Sequence, residues 1–180
     1  PNIALTRKCA KINGIETHVM IRLREGNFEY SELEMELMLE DIKNQASAGA
    51  VGVVFGCLTT NQTVDIQKNI TLVEEASKYG LECTFHRAFD FVDSPFDALE
   101  SLINIGFNRI LTSGGKATAQ EGIQQIEQLV QQANGEIEIM AGSGINESNA
   151  LMIAETGIDA LHFSAHHTCL LYTSPSTRDK

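Results

Sequence analysis

Apolar positions gather into short runs along this chain, and several runs stop abruptly on polar clusters. Four such stops are Phe85-His86-Arg87-Ala88-Phe89-Asp90, Leu111-Thr112-Ser113-Gly114-Gly115, Met140-Ala141-Gly142-Ser143-Gly144 and Leu161-His162-Phe163-Ser164-Ala165. His86 to Ser113 is 27 residues, Ser113 to Gly142 is 29, and Gly142 to Ser164 is 22. A strand, a crossover helix and two loops fill about that length, so the spacing predicts a repeating βα unit and a parallel sheet. In a βα barrel the carboxyl ends of the strands carry the site. The polar stops therefore mark where chemistry is expected before they say which chemistry it is.

The same pattern predicts six strands, over 17–22, 50–55, 82–86, 109–112, 137–141 and 158–164. The run over 50–55 is almost continuously apolar, as a strand covered on both faces should be. Helices are predicted over 2–12, from Ser31, over 65–79, from Ser94, over 119–133 and over 147–155. Ser31 with Glu34 three residues on makes a capping box, and Leu33, Leu37, Met38 and Ile42 suggest an apolar stripe behind it. Pro95 suits a first helical position, and Gly80 and Gly106 suit helix ends. No Pro/Gly-rich linker interrupts the series, which argues for one domain.

Composition adds exclusions. Hydrophobic residues make up 43% and charged residues 21%, ordinary for a soluble core. The net charge of −11 argues against a nucleic-acid partner, which needs clustered basic surface. No apolar run approaches the roughly 18 residues of a membrane span, and the first residues lack the order of a secretory signal. Cys9, Cys57, Cys83 and Cys169 lie far apart with no C-x-x-C pair, which removes zinc-ribbon and thioredoxin readings. Reduced thiols in a cytoplasmic protein are the expectation. The chain opens on Pro1 rather than Met, so its natural start is expected upstream. Beyond His167 the text loses all period and reads as a non-native tail. Residues 1–167 are expected to form the domain, with 168–180, and Cys169, outside its chemistry.

Several strings then match a known pattern. Val19-Met20-Ile21-Arg22, Phe85-His86-Arg87-Ala88-Phe89-Asp90, Arg109-Ile110-Leu111-Thr112-Ser113-Gly114 and Met140-Ala141-Gly142-Ser143-Gly144-Ile145 resemble the CutC family, named for copper homeostasis. The resemblance implies an α/β fold, a (β/α)8 TIM barrel of about 250 residues. Six of its eight strands would be present here, from the second helix to the eighth strand. Where the family reads Arg-Pro-Arg-Gly-Gly-Asp-Phe, this chain has Arg22-Leu23-Arg24-Glu25-Gly26-Asn27-Phe28. The cysteines usually discussed as copper ligands fall in the segment this chain would lack. Copper homeostasis is thus implied without a ligand set here.

The residues themselves suggest more. Arg22 and Arg24, at and past a strand end, could grip a carboxylate or phosphate. His86 with Asp90 nearby could serve as a general acid/base whose tautomer the acid fixes, with Arg87 beside them. The bland alternative is a core histidine and an Arg87–Asp90 pair closing a loop. Thr112-Ser113-Gly114 and Gly142-Ser143-Gly144 are small turns of the kind whose backbone N–H groups hold anions. His162 and Ser164 share one side of the last strand. Cys57, just past a strand end, is the thiol expected at the mouth and the candidate for copper(I), which prefers sulfur and imidazole. Met20 is expected to fill core. Two readings follow: a CutC-like protein with copper(I) as candidate ligand, or a barrel enzyme acting on a small anionic or phosphorylated metabolite. A homo-oligomer is left open, and neither nucleic acid nor membrane is expected as a partner.

Overall fold

Six parallel strands pair in chain order: β1 (His18–Met20), β2 (Gly52–Phe55), β3 (Glu82–Phe85), β4 (Arg109–Thr112), β5 (Glu138–Gly142) and β6 (Ala160–His162). Helices α1 (Ile3–Cys9), α2 (Glu32–Ser47), α3 (Ile66–Ser77), α4 (Pro95–Ile105), α5 (Ile123–Ala133) and α6 (Ala150–Ala154) alternate with them. The computed structural model describes residues 2–164. Expectations for Ala165 and for residues 168–180 lie outside the described residues. Sequential parallel order with a helix in each crossover is the architecture of a βα barrel, and six strands make a curled part of one.

Local chemistry explains most boundaries. Ser31 Oγ accepts from the Glu34 N–H while the Glu34 carboxylate accepts from the Ser31 N–H, the expected capping box. Pro95 opens α4, and Gly106, at φ 97°, closes it in the left-handed region that glycine enters without strain. Two helices start several residues later than expected. Ala119 donates to the Ser143 carbonyl, which holds the start of the expected helix in a loop until Gly122. Asn146 and Asn149 side chains capture local backbone N–H groups, so α6 begins only at Ala150. An unexpected 3-10 helix, Arg87–Phe91, follows β3.

The stripe on α2 is also corrected. Met35, Met38, Ile42 and Gln45 are buried, whereas Leu33 and Leu37 are 66% and 46% exposed. Thr6 of α1 donates to Gln45 Oε1 at 2.7 Å, which lets a polar residue share the inward face.

The two faces of the sheet differ. Val53, Phe55, Cys83, Phe85, Ile110, Ile139 and Ala141 are buried in one continuous core with the helices. The alternate residues line the concave face. There His18 Nε2 lies 3.8 Å from Glu82 Oε2, and Arg109 Nη2 reaches Glu82 at 3.5 Å and Glu138 at 2.5 Å, an ionic row at the amino ends of the strands. Met20, expected in the core, is 45% exposed on this face of an edge strand. Among the described residues no helix is long and apolar enough to cross a membrane.

Candidate functional site

The carboxyl ends of β1 to β3 build the best-formed site. Met20, Val54 and Thr84 are register partners across these strands. Two residues further on, alternation brings Arg22, Gly56 and His86 into the next row on the same face. The ladder continues into it, with Ile21 N donating to Val54 O at 2.8 Å and His86 N to Phe55 O at 3.0 Å. Gly56 leaves the middle of the row bare. A Cβ there would sit 2.9 Å from His86 Nδ1, so the imidazole lies over this glycine.

His86 is 3% exposed and packs between Phe28 and Phe85, at centroid distances of 5.0 and 6.0 Å. It caps the 3-10 helix, its Nδ1 accepting from the Ala88 N–H at 3.2 Å. That bond requires an unprotonated Nδ1, so the neutral ring carries its hydrogen on Nε2. Burial, then the Arg22 charge, pushes the histidine down to about 4. His86 does not pair with Asp90, and the expected acid-oriented histidine is replaced by one oriented by a backbone amide. Arg22 donates from Nη2 to the Gly26 carbonyl at 2.9 Å, and its guanidinium sits 4.7 Å from the Phe28 ring centroid.

Arg22, at one end of the row, borders an open cavity of about 630 Å³. Arg22 and Arg87 line it together with the aromatic rings of Phe28 and Phe91 and with Thr59 and Thr60. Phe28 and Phe91 are tilted against each other at 5.6 Å. Glu29 also borders the cavity.

Asp90 is a structural knot beside this cavity. Its carboxylate accepts from Arg87 Nε at 2.7 Å, Thr112 Oγ1 at 2.6 Å, Ser113 N at 2.9 Å and Gly115 N at 3.1 Å. Arg87 Nη2 donates in turn to Ser113 Oγ at 2.8 Å. The 3-10 helix after β3 is thereby fastened to the loop after β4. Thr112 and Ser113, expected to hold an anion, bond this internal carboxylate, and the Gly114 N–H donates to Thr112 Oγ1 at 2.9 Å. Gly114, at φ 68°, packs against the Gly122 backbone so closely that no side chain fits.

The remaining candidates separate. Arg24 spends its nitrogens on Glu34 in the first turn of α2 and, within its own loop, on Asn27 and the Glu29 carbonyl. The Arg24 guanidinium and the Ser31 N–H together hold Glu34 down to about 2. Gly142 is bare because a Cβ would meet Leu111 at 2.7 Å. Ser143 turns at φ 80° and donates from Oγ to the Ala117 carbonyl at 2.7 Å. Gly144 borders a separate hollow with Thr118, Gln120 and Asn149. Ser164 lies in a third hollow, with Leu161 and Phe163, while His162 is exposed on β6.

Cys57 corrects the expectation of a mouth thiol. It is fully buried in the core, and its backbone N–H and carbonyl are both bonded by the Asn69 side chain. Burial, with Asp65 nearby, pushes its thiol up to about 12, and burial does the same for Cys83. Copper(I) wants accessible thiolate or imidazole. Among the described residues no group of three His, Cys, Asp or Glu side chains could hold a metal ion. These residues do not fit copper(I).

Phe28, Phe91, Thr59 and Thr60 were missed as cavity residues. Thr59-Thr60 was within reach of the rule that found the others, since it is the polar stop after the apolar run ending at Phe55. The aromatics gave no signal of their own, because facing an arginine is a property of the folded loops.

A parallel βα sheet whose strand ends carry a cationic cavity defines a protein of the βα-barrel class. The chain belongs to the CutC family, which matches residues 1–167. It is 46% identical to a CutC family protein of Glaesserella parasuis over 92% of this chain and 68% of the relative. A Bacteroides fragilis CutC family protein is 51% identical over 84% of this chain and 60% of its own length. The chain thus spans about three fifths to two thirds of these relatives. A crystal structure of CutC from Streptococcus agalactiae, whose name assigns it to copper homeostasis, superposes with a TM-score of 0.84 at 34% identity, over 90% of this chain and 80% of that one. Deoxyribose phosphate aldolase from Aeropyrum pernix superposes at 0.66 with 15% identity, over 91% of this chain and 71% of that one, a likeness of fold alone.

Proposed function

We propose that the protein serves copper homeostasis, the role in the name of its Streptococcus relative, by binding a small anionic molecule at the carboxyl-end mouth. The observation that carries this reading is the joint exposure of Arg22 and Arg87 on one cavity with aromatic walls. Two guanidiniums attract a carboxylate or phosphate and can hold it through paired N–H donors. Phe28 and Phe91 exclude water from one side and strengthen that attraction. The Thr59 and Thr60 hydroxyls supply neutral contacts for the rest of the molecule. Three free thiols, Cys9, Cys57 and Cys83, suit a reducing cytoplasm.

Turnover of that molecule is the second reading. Arg87 is the member of the expected catalytic set that borders the cavity, and it would stabilise developing negative charge. His86, neutral with Nδ1 occupied, suits donation better than proton abstraction.

Titration of the protein with inorganic phosphate and with malonate, followed by amide and guanidinium NMR, tests the binding. Shifts are expected around Arg22, Phe28, Thr59 and Arg87, and Arg22→Met should weaken binding about tenfold. Ions that gather instead at Gly142–Gly144, or an unchanged affinity in the variant, would overturn the reading. Copper(I) competition with a chelating dye should be the same for the protein and Cys57→Ser.

A further inference from the structure

Three polar groups in or beside the Arg22–Gly56–His86 row are buried without partners among the described residues: Arg22 Nε, His86 Nε2 and Thr84 Oγ1. Thr84 sits one step below His86 on the same face of β3. Buried polar groups are rarely left unpaired, and each that is requires a reason. Two of these atoms are N–H donors: a guanidinium Nε–H, and an imidazole Nε2–H fixed by the Ala88 amide on the other nitrogen. What they lack is therefore an acceptor. An N–H has no lone pair for a metal, so the pair calls for oxygen.

We propose that Arg22 Nε–H and His86 Nε2–H form an oxyanion subsite that receives one oxygen of a carboxylate or phosphate ligand, with His86 as a neutral hydrogen-bond donor. The subsite rests on the mouth reading above and extends it from Arg22, which borders the cavity, to the buried His86. Gly56 makes it possible, since any side chain there would push the imidazole aside. The Gly26 carbonyl on Arg22 Nη2 and the Phe28 ring fix the guanidinium so that Nε stays in the row.

The nitrogen geometry of histidine provides the test. His86→Asn keeps an acceptor near the Nδ1 position for the Ala88 amide and leaves no donor at the Nε2 position. His86→Gln keeps an amide donor near the Nε2 position. With inorganic phosphate and with malonate as separate probes, His86→Asn should bind about tenfold more weakly and His86→Gln close to the unaltered protein. In the unaltered protein the His86 Hε2 resonance should be visible and should move on saturation, and the probe that moves it names the oxyanion. If either probe binds while Hε2 stays in place, the proposal falls and the cavity reading stands. Equal affinity of His86→Asn and the unaltered protein has the same meaning. If neither probe binds the unaltered protein, the mouth reading falls as well.

Discussion

The helix-facing and concave sides of one sheet obey different rules. On the helix side, Phe55, Phe85, Ile110 and Ile139 are all fully buried, and each contributes by area alone. On the concave side Met20 is 45% exposed, and ion pairs, bare glycines and unpaired donors share that face with Val54, Leu111 and Met140. The first side holds the fold and the second carries the chemistry. Because strand residues alternate, each short strand serves both without compromise.

The largest effect should separate the sides directly. Phe55→Ala removes a fully buried ring packed 5.2 Å from Phe107 and should cost about 3–5 kcal/mol in denaturant unfolding. Met20→Ala, one strand away on the open side, should cost less than about 1 kcal/mol. Equal losses would erase the distinction. A second effect belongs to the concave side. The folded His86 titrates near 4, below its ordinary 6.5, so between these values the unfolded chain binds a proton that the folded chain refuses. Stability should therefore fall as pH drops from 6.5 to 4, by on the order of 3 kcal/mol from this residue. His86→Asn should flatten that part of the profile, and an unchanged slope would show that His86 is not the group responsible. The smallest effect lies outside both faces. Leu33→Ser on the exposed side of α2 should change stability by no more than about 0.5 kcal/mol; a loss of several times that would mean the helix buries another side.

The sequence made the helix side legible and the concave side only partly so. Apolar runs at a steady spacing located all six strands, because each strand places apolar residues on its helix-facing side. Capping chemistry placed α2 and α4 at their starts, since Ser31 and Pro95 act through local backbone. Stop clusters singled out His86 and Arg87, and the local Arg87–Asp90 pair was legible beside them, yet their long-range partners were not. Asp90 reaches Thr112 and Ser113 across more than twenty residues, a contact that exists only once β3 and β4 pair. Cys57 misled for a related reason: its place after a strand end says which end of the sheet it occupies, while Asn69 and the local turn decide which side it faces. Gly142 misled too: it reads as part of an anion-holding turn on paper and, like Gly56, acts as a clearance in the fold.

Those clearances have a bearing on how relatives should be sorted. On β2 the two concave positions flanking Val54 are empty, and an imidazole from a neighbouring strand rests over each, His18 over Gly52 and His86 over Gly56. A homologue with any side chain at either position must hold that imidazole elsewhere, even if both histidines are retained. Kinship of function within the lineage would then be inherited through two residues that contribute no atoms beyond the backbone, and a phylogeny scored on catalytic-looking side chains alone would group proteins whose mouths work differently.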